Sequence, residues 1–222
     1  MPALNAMPRI FLVRFFAAAL VVALFTASPA RAIDIQVVKS PGGISAWLIE
    51  DSTVPLMSMR FTFRGGSVLD PKGKTGLAEL VSGVLDEGAG PYDSAQFQKR
   101  LEDNSISLRF SAALESFGGR LKALNENRNE AIELLRLALT APRFDSEPVT
   151  RVKSQMLAQV ERRAERPRHI AGRVWNKATF ADHPYGRDTD GTKTSIPAIT
   201  KDDLQQFAKT RLGRDNLIVG VV

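Results

Sequence analysis

The chain has 222 residues, 44% hydrophobic and 24% charged, with no cysteine. That balance excludes a disordered or fibrous chain and allows a buried core; the missing cysteine excludes a disulfide framework and thiolate metal ligands. The formal charge of +6 comes without any Lys/Arg cluster interleaved with aromatic residues, so it carries no nucleic-acid signal.

The first segment reads MPALNAMPRIFLVRFFAAALVVALFTASPARA. Arg9 and Arg14 frame the start of an apolar run, Phe15 to Ala27, and Ala30-Arg31-Ala32 has the small-x-small form of a signal-peptidase site. The pattern predicts a secretory signal peptide over residues 1–32, cleaved after Ala32, and an exported protein, periplasmic or extracellular. An uncleaved anchor is the alternative, but the run is shorter than the roughly 20 apolar residues that span a bilayer. Cleavage takes away Arg9, Arg14 and Arg31 and no acidic residue, lowering the formal charge from +6 to +3. No stable membrane anchor is expected afterwards.

Residues 33–222 read as one domain. Asp34 to Val38 and Ile44 to Glu50 are short strands joined by the turn-forming SPGG, and Leu56 to Phe63 is a third. In Gly76 to Gly90, Leu77, Leu80, Val81, Val84 and Leu85 recur at the spacing of one buried helix face. The other face carries Glu79, Ser82, Gly83 and Asp86, the spacing on which enzymes mount pairs of metal ligands, with almost no reactive side chain on it. Asp93 to Asp103 reads as a helix capped by Asp93 or Ser94. Ser105 to Leu114 and Phe117 to Leu124 alternate as a hairpin.

Beyond them, Asn129 to Thr140 is a leucine-striped helix stopped by Pro142, and Glu147 to Arg166 is a long polar one ending before Pro167. Arg162, Arg163 and Arg166 at its end, with Arg168 just beyond, alternate with Glu161 and Glu165, as on a solvated face. Ile170 to Phe180 and Thr200 to Arg211 are further helices, and Asn216 to Val222 is a strand returning to the sheet. The order predicts an α+β fold, a mixed or antiparallel sheet with helices packed on one face. The apolar end LIVGVV reads as the end of a fragment or of the first half of a longer protein.

Two histidines, His169 and His183, limit any metal or triad chemistry, and both read as structural residues beside prolines. Asp86 and Glu87 are adjacent and point apart, so they read as an exposed helix end rather than a paired acid and base.

The stretch MRFTFRGGSVLDPKGKTGLAELVSGVLDEGAG, the NSISLRFSAALESFGG hairpin, the Pro142-Arg143-Phe144 step and HPYGRDTDGTKTSIPAIT followed by DLQQFAKTRLGRDNLIVGVV together resemble the N-terminal homology domain of the insulinase-like, or pitrilysin-type, zinc metallopeptidases, the inverzincins. The resemblance covers nearly all of Ile35 to Val222. It implies an inverted His-x-x-Glu-His motif on the 76–90 helix, two histidines holding zinc and the glutamate activating water, with a third ligand on the next long helix. Here those positions hold Glu79, Ser82, Gly83 and Gln159, so no catalytic or metal residue is expected in this chain, and zinc is expected in an active partner.

The resemblance further implies a homologous zinc-bearing peptidase subunit as partner and a peptide substrate. A strand-addition site would fall at Ser107, Leu108, Arg109 and Phe110; an ordinary hairpin strand is the alternative there. The favoured expectation is a non-catalytic subunit or half that forms the peptide-binding chamber. Its alternatives are an active zinc metalloendopeptidase with atypical ligands such as Glu79, Asp86 and His183, and a structural scaffold of an envelope assembly. The resemblance places the second homology domain outside this chain.

Overall fold

A computed structural model describes residues 34–222; the expected signal peptide lies outside the described residues. Six strands form one mixed sheet: β1 (Gln36–Lys39), β2 (Ser45–Leu48), β3 (Leu56–Arg64), β4 (Ser107–Ala112), β5 (Ser116–Leu124) and β6 (Leu217–Val221). Their order across the sheet is β1-β2-β6-β3-β5-β4. The last described strand, β6, enters between β2 and β3, parallel to β2 and antiparallel to β3. Its LIVGV run, buried at Val219, therefore joins a hairpin to a meander that would otherwise be separate.

Seven α-helices accompany the sheet among the described residues: α1 (Leu77–Val84), α2 (Ser94–Asp103), α3 (Arg128–Thr140), α4 (Ser146–Ala164), α5 (Pro167–Phe180), α6 (Ser195–Ala198) and α7 (Lys201–Arg211). The period-2 pattern of the strands sets which face they cover. Phe61, Phe63, Leu108, Phe117, Leu121 and Ala123 are buried on one face, while Arg60, Arg109, Arg120 and Lys122 are exposed on the other. The core lies between the buried face and Leu80, Val81 and Leu85 of the α1 segment, Phe97 of α2, Leu134 of α3 and Phe207 of α7. Phe117 and Phe207 meet edge to face at 5.0 Å between ring centroids. Phe61 and Phe110 do so at 5.6 Å across Gly119, the residue paired with both, whose missing side chain leaves room for the Phe61 ring.

The caps follow the sequence. Asp93 caps α2 through a reciprocal box with Gln96, deciding between Asp93 and Ser94, and Thr200 does the same for α7 with Asp203. Pro167 opens α5 at its first turn, where no amide is needed, so that helix starts three residues before the expected Ile170. The largest boundary correction falls on the helix expected over Gly76–Gly90, which ends at Val84. Gly88 and Gly90 take φ of 111° and 55°, and Ala89 between them bridges to Tyr92 and Pro142. That turn brings the chain back under α3 and leaves Asp86 and Glu87 beyond the helix.

At its other end α1 has no side-chain cap of its own, since Gly76 stands there with φ of 91°. The buried Asp70 supplies one from six residues upstream, its carboxylate accepting from the Gly76 and Ala78 amides at 3.1 and 3.2 Å. Arg211 of α7 pairs with it at 3.3 Å. Burial pushes the Asp70 carboxyl upward, against the amides and the guanidinium that favour its charged form. The first turn of α1 is thereby tied to the last turn of α7.

Candidate functional site

The face that would carry the inverted motif is set by the packing of α1. With Leu77, Leu80, Val81 and Val84 buried, Glu79, Ser82 and Gly83 turn toward α4. Gly83 fits there because it has no side chain: a Cβ would stand 2.9 Å from Cγ1 of Val152 on α4. The Ser82 hydroxyl is engaged locally, donating to the Glu79 carbonyl at 2.8 Å. Gln159 lies on the same helix as Val152 and is exposed. The residues present therefore do not fit a zinc ion. One position has its space taken by Val152, one hydroxyl is turned back on its own helix, and one amide faces solvent as a poor ligand.

Glu79 keeps a charge-bearing side chain in this place. Burial raises its pKa, Asp190 adds to the rise and Arg163 opposes it. Arg163 and Asp190 form an ion pair with each other, so a cation and a second carboxylate sit within electrostatic reach of Glu79. Both line a cleft of about 410 Å³ between α4, α5 and the 185–191 loop, which Arg168, His169, Arg173 and Arg187 also border. Sequence reasoning missed Arg163 and Asp190 as neighbours of Glu79. They are 27 residues apart in the chain, and no local spacing signals the meeting. A charge-compensation argument, asking what balances a carboxylate on a buried helix, was the signal available.

The atypical ligand set Glu79, Asp86 and His183 is not brought together. Glu79 lies in the first turn of α1 and Asp86 beyond its C-terminal end, and His183 turns its ring onto Tyr185 at 4.7 Å. The His183 Nδ1 accepts from the Tyr185 amide at 3.3 Å, the turn role expected for it. Among the described residues no three His, Cys, Asp or Glu side chains are grouped to hold a metal ion.

Asp86 differs from the exposed helix end expected of it. Its side chain is only 14% exposed, and its carboxyl is pushed up to about 6, chiefly by burial and further by Glu87, with Arg109 and Arg151 pulling the other way. Arg151 takes Glu87 instead, at 2.7 Å. The nearest cation to Asp86 is Arg109 at 3.8 Å, which reaches from β4.

That strand holds the expected peptide-binding residues. Ser107, Leu108, Arg109 and Phe110 lie on β4, which among the described residues pairs only with β5 and closes one edge of the sheet. Leu108 and Phe110 turn toward the core and Ser107 and Arg109 away from it. Half of the β4 backbone groups consequently point outward from the sheet, available to an added strand, and α1 packs beside them.

A six-stranded mixed sheet with helices packed on one face defines an α+β domain. Residues 46–193 match the model of the insulinase family, peptidase family M16, and the chain belongs to that family. It is 35% identical over 161 residues, 72% of this chain and 37% of the relative, to the non-peptidase homolog YmxG of Helicobacter pylori. It is 27% identical to an uncharacterised zinc protease of Mycobacterium leprae, over 63% of this chain and 35% of that one. The structure superposes with a TM-score of 0.80 and 26% identity on a peptidase M16 inactive domain from Pseudomonas fluorescens, covering 86% of this chain and 46% of that one. The chain thus spans about a third of the length of these curated relatives.

Proposed function

We propose that this chain is a non-catalytic subunit or half of an exported insulinase-like peptidase. It forms one wall of a peptide-binding chamber whose zinc is held by a homologous partner. The observation that carries the reading is the filling of the motif face: Val152 occupies the space a side chain at position 83 would need, while the helix under it stays intact. Selection for the fold alone keeps such a helix; selection for zinc chemistry would keep the ligands. The names borne by the Helicobacter and Pseudomonas relatives, a non-peptidase homolog and an inactive domain, support the same reading.

In this role the chain grips rather than cuts. A substrate segment adds to the free edge of β4 along Ser107 to Phe110, its backbone hydrogen bonds giving affinity without a sequence requirement. Export by the N-terminal segment places that work in the periplasm or outside the cell. The test is co-purification of the protein from its native envelope, followed by zinc analysis and peptide-cleavage assays on the chain alone and on any complex. An inert, zinc-free chain within a complex that contains zinc and cleaves peptide is the expected result. Stoichiometric zinc and chelator-sensitive cleavage by the isolated chain would overturn it.

A further inference from the structure

Helix α5 is mounted on the domain in the reverse of the usual sense. None of its residues is buried, and Val174 and Trp175 are 64% and 69% exposed. The residues it turns toward α4 and the 185–191 loop include His169, Gly172, Arg173 and Asn176, spaced i, i+3, i+4 and i+7 as one helix face. A surface helix ordinarily docks by its apolar stripe. This one presents a polar, basic stripe to the cleft of about 410 Å³, a volume that suits a small ligand.

The charges around that cleft do not balance. Four guanidinium groups border it, those of Arg163, Arg168, Arg173 and Arg187, against the carboxylates of Asp188 and Asp190. Arg163 takes Asp190, and Arg173 lies 3.9 Å from Asp188. Arg187 donates to the Asp70 backbone carbonyl at 3.1 Å, a neutral acceptor. Among the described residues Arg168 has no ion-pair partner. Glu161 and Glu165, interleaved with this basic stretch in the sequence, do not supply one: Glu161 pairs with Lys193 at 3.0 Å, and Glu165 pairs with no cation among the described residues. The first turn of α5 carries no acidic residue either, so the dipole of that helix adds to the cationic field. Two guanidinium groups are left over, and guanidinium forks onto the paired oxygens of carboxylates and phosphates.

From the reversed helix and the surplus charge we propose that the cleft between α4, α5 and the 185–191 loop binds a compact oxyanion of two or more negative charges, phosphate- or carboxylate-bearing. Arg168 and Arg173 hold it from α5 and Arg187 holds it from the loop. The bound anion supplies the attachment that the apolar residues of α5 do not, so it fastens this helix to the domain. Neither zinc nor a partner chain enters the inference, which therefore stands apart from the subunit reading.

The oxyanion comes either from a free small molecule or from acidic side chains of a peptide, and the test separates the two. The full chain is titrated by calorimetry with inorganic pyrophosphate, with a short peptide carrying two adjacent glutamates, and with the same peptide carrying glutamines. Strand addition at β4 is common to both peptides and cancels in their comparison. Hydrogen exchange over residues 167–180 is followed with and without each probe. The expected result is saturable binding of pyrophosphate or of the glutamate peptide, weakened by added salt, with new protection of the α5 amides. The tighter of the two probes identifies the source. Arg168→Gln with Arg173→Gln should weaken binding about tenfold or more for each guanidinium removed and abolish the added protection. Arg60→Gln with Arg120→Gln takes the same charge from strands β3 and β5 and should leave the affinity unchanged. Absence of saturable binding by either probe, or an equal loss in the Arg60 and Arg120 variant, would overturn the proposal. If the Arg168 and Arg173 double variant fails to fold, Arg168→Gln alone, at an exposed side chain, decides it.

Discussion

Asp86 sits where a charge is least welcome, nearly buried beyond the end of α1 and beside the like-charged Glu87. Its pKa near 6 lies above the ordinary value of an unfolded aspartate, so the folded protein binds its proton more tightly than the unfolded chain does. The sign follows: its contribution to stability is complete below the unfolded pKa and is lost as pH rises through about 6. The difference is at most about 3 kcal/mol, at 1.36 kcal/mol per pH unit. Replacing Asp86 by Asn leaves a neutral group of similar shape, and is expected to stabilise the protein by about 2 kcal/mol near pH 8 and hardly at all near pH 4. Urea unfolding of the two proteins at both pH values checks this. A constant difference between them would assign the effect to packing or hydrogen bonding instead.

At the scale of elements, the α1–α4 contact decides what the motif face can become. Gly83 in a helix interior costs about 1 kcal/mol relative to alanine, yet it is where Val152 comes closest. Gly83→His should therefore destabilise by about 1–3 kcal/mol through overpacking. Adding Val152→Ala should recover more than the sum of the single changes allows, as denaturant midpoints of the four proteins of the cycle would register. Additive effects would place the two residues out of contact. This contact was not legible in the sequence, because it joins residues 83 and 152, and the apolar stripe of α1 is satisfied by any neighbour. The α+β class, the strand-then-helix order and both capping boxes were legible, since each rests on a local period or on a polar residue at a helix start. The cap of α1 was not: Asp70 acts from six residues away, across a loop that only the fold bends back. The motif positions Glu79, Ser82, Gly83 and Gln159 could be read from the resemblance, whereas the Arg163–Asp190 pair behind Glu79 depends on how α4 and the 185–191 loop meet.

Over the whole molecule, the sheet order makes the last strand a structural keystone. Among the described residues β2 pairs only with β1 and β6, and β3 reaches β2 only through β6. The β1–β2 hairpin is thus joined to the rest by a strand that follows all seven described helices in the chain, a non-local closure. Each ladder hydrogen bond contributes about 0.5–1.5 kcal/mol net, and β6 makes ladders on both sides while burying Val219. Its loss therefore removes several kcal/mol from a stability of about 5–15 kcal/mol. Deleting residues 217–222 is expected to abolish cooperative unfolding and to leave the β1 and β2 amides unprotected in hydrogen exchange, while α1 and the β4–β5 hairpin keep partial protection. Retained protection at β2 in a cooperatively melting truncated chain would mean that the hairpin docks by its side chains rather than through β6.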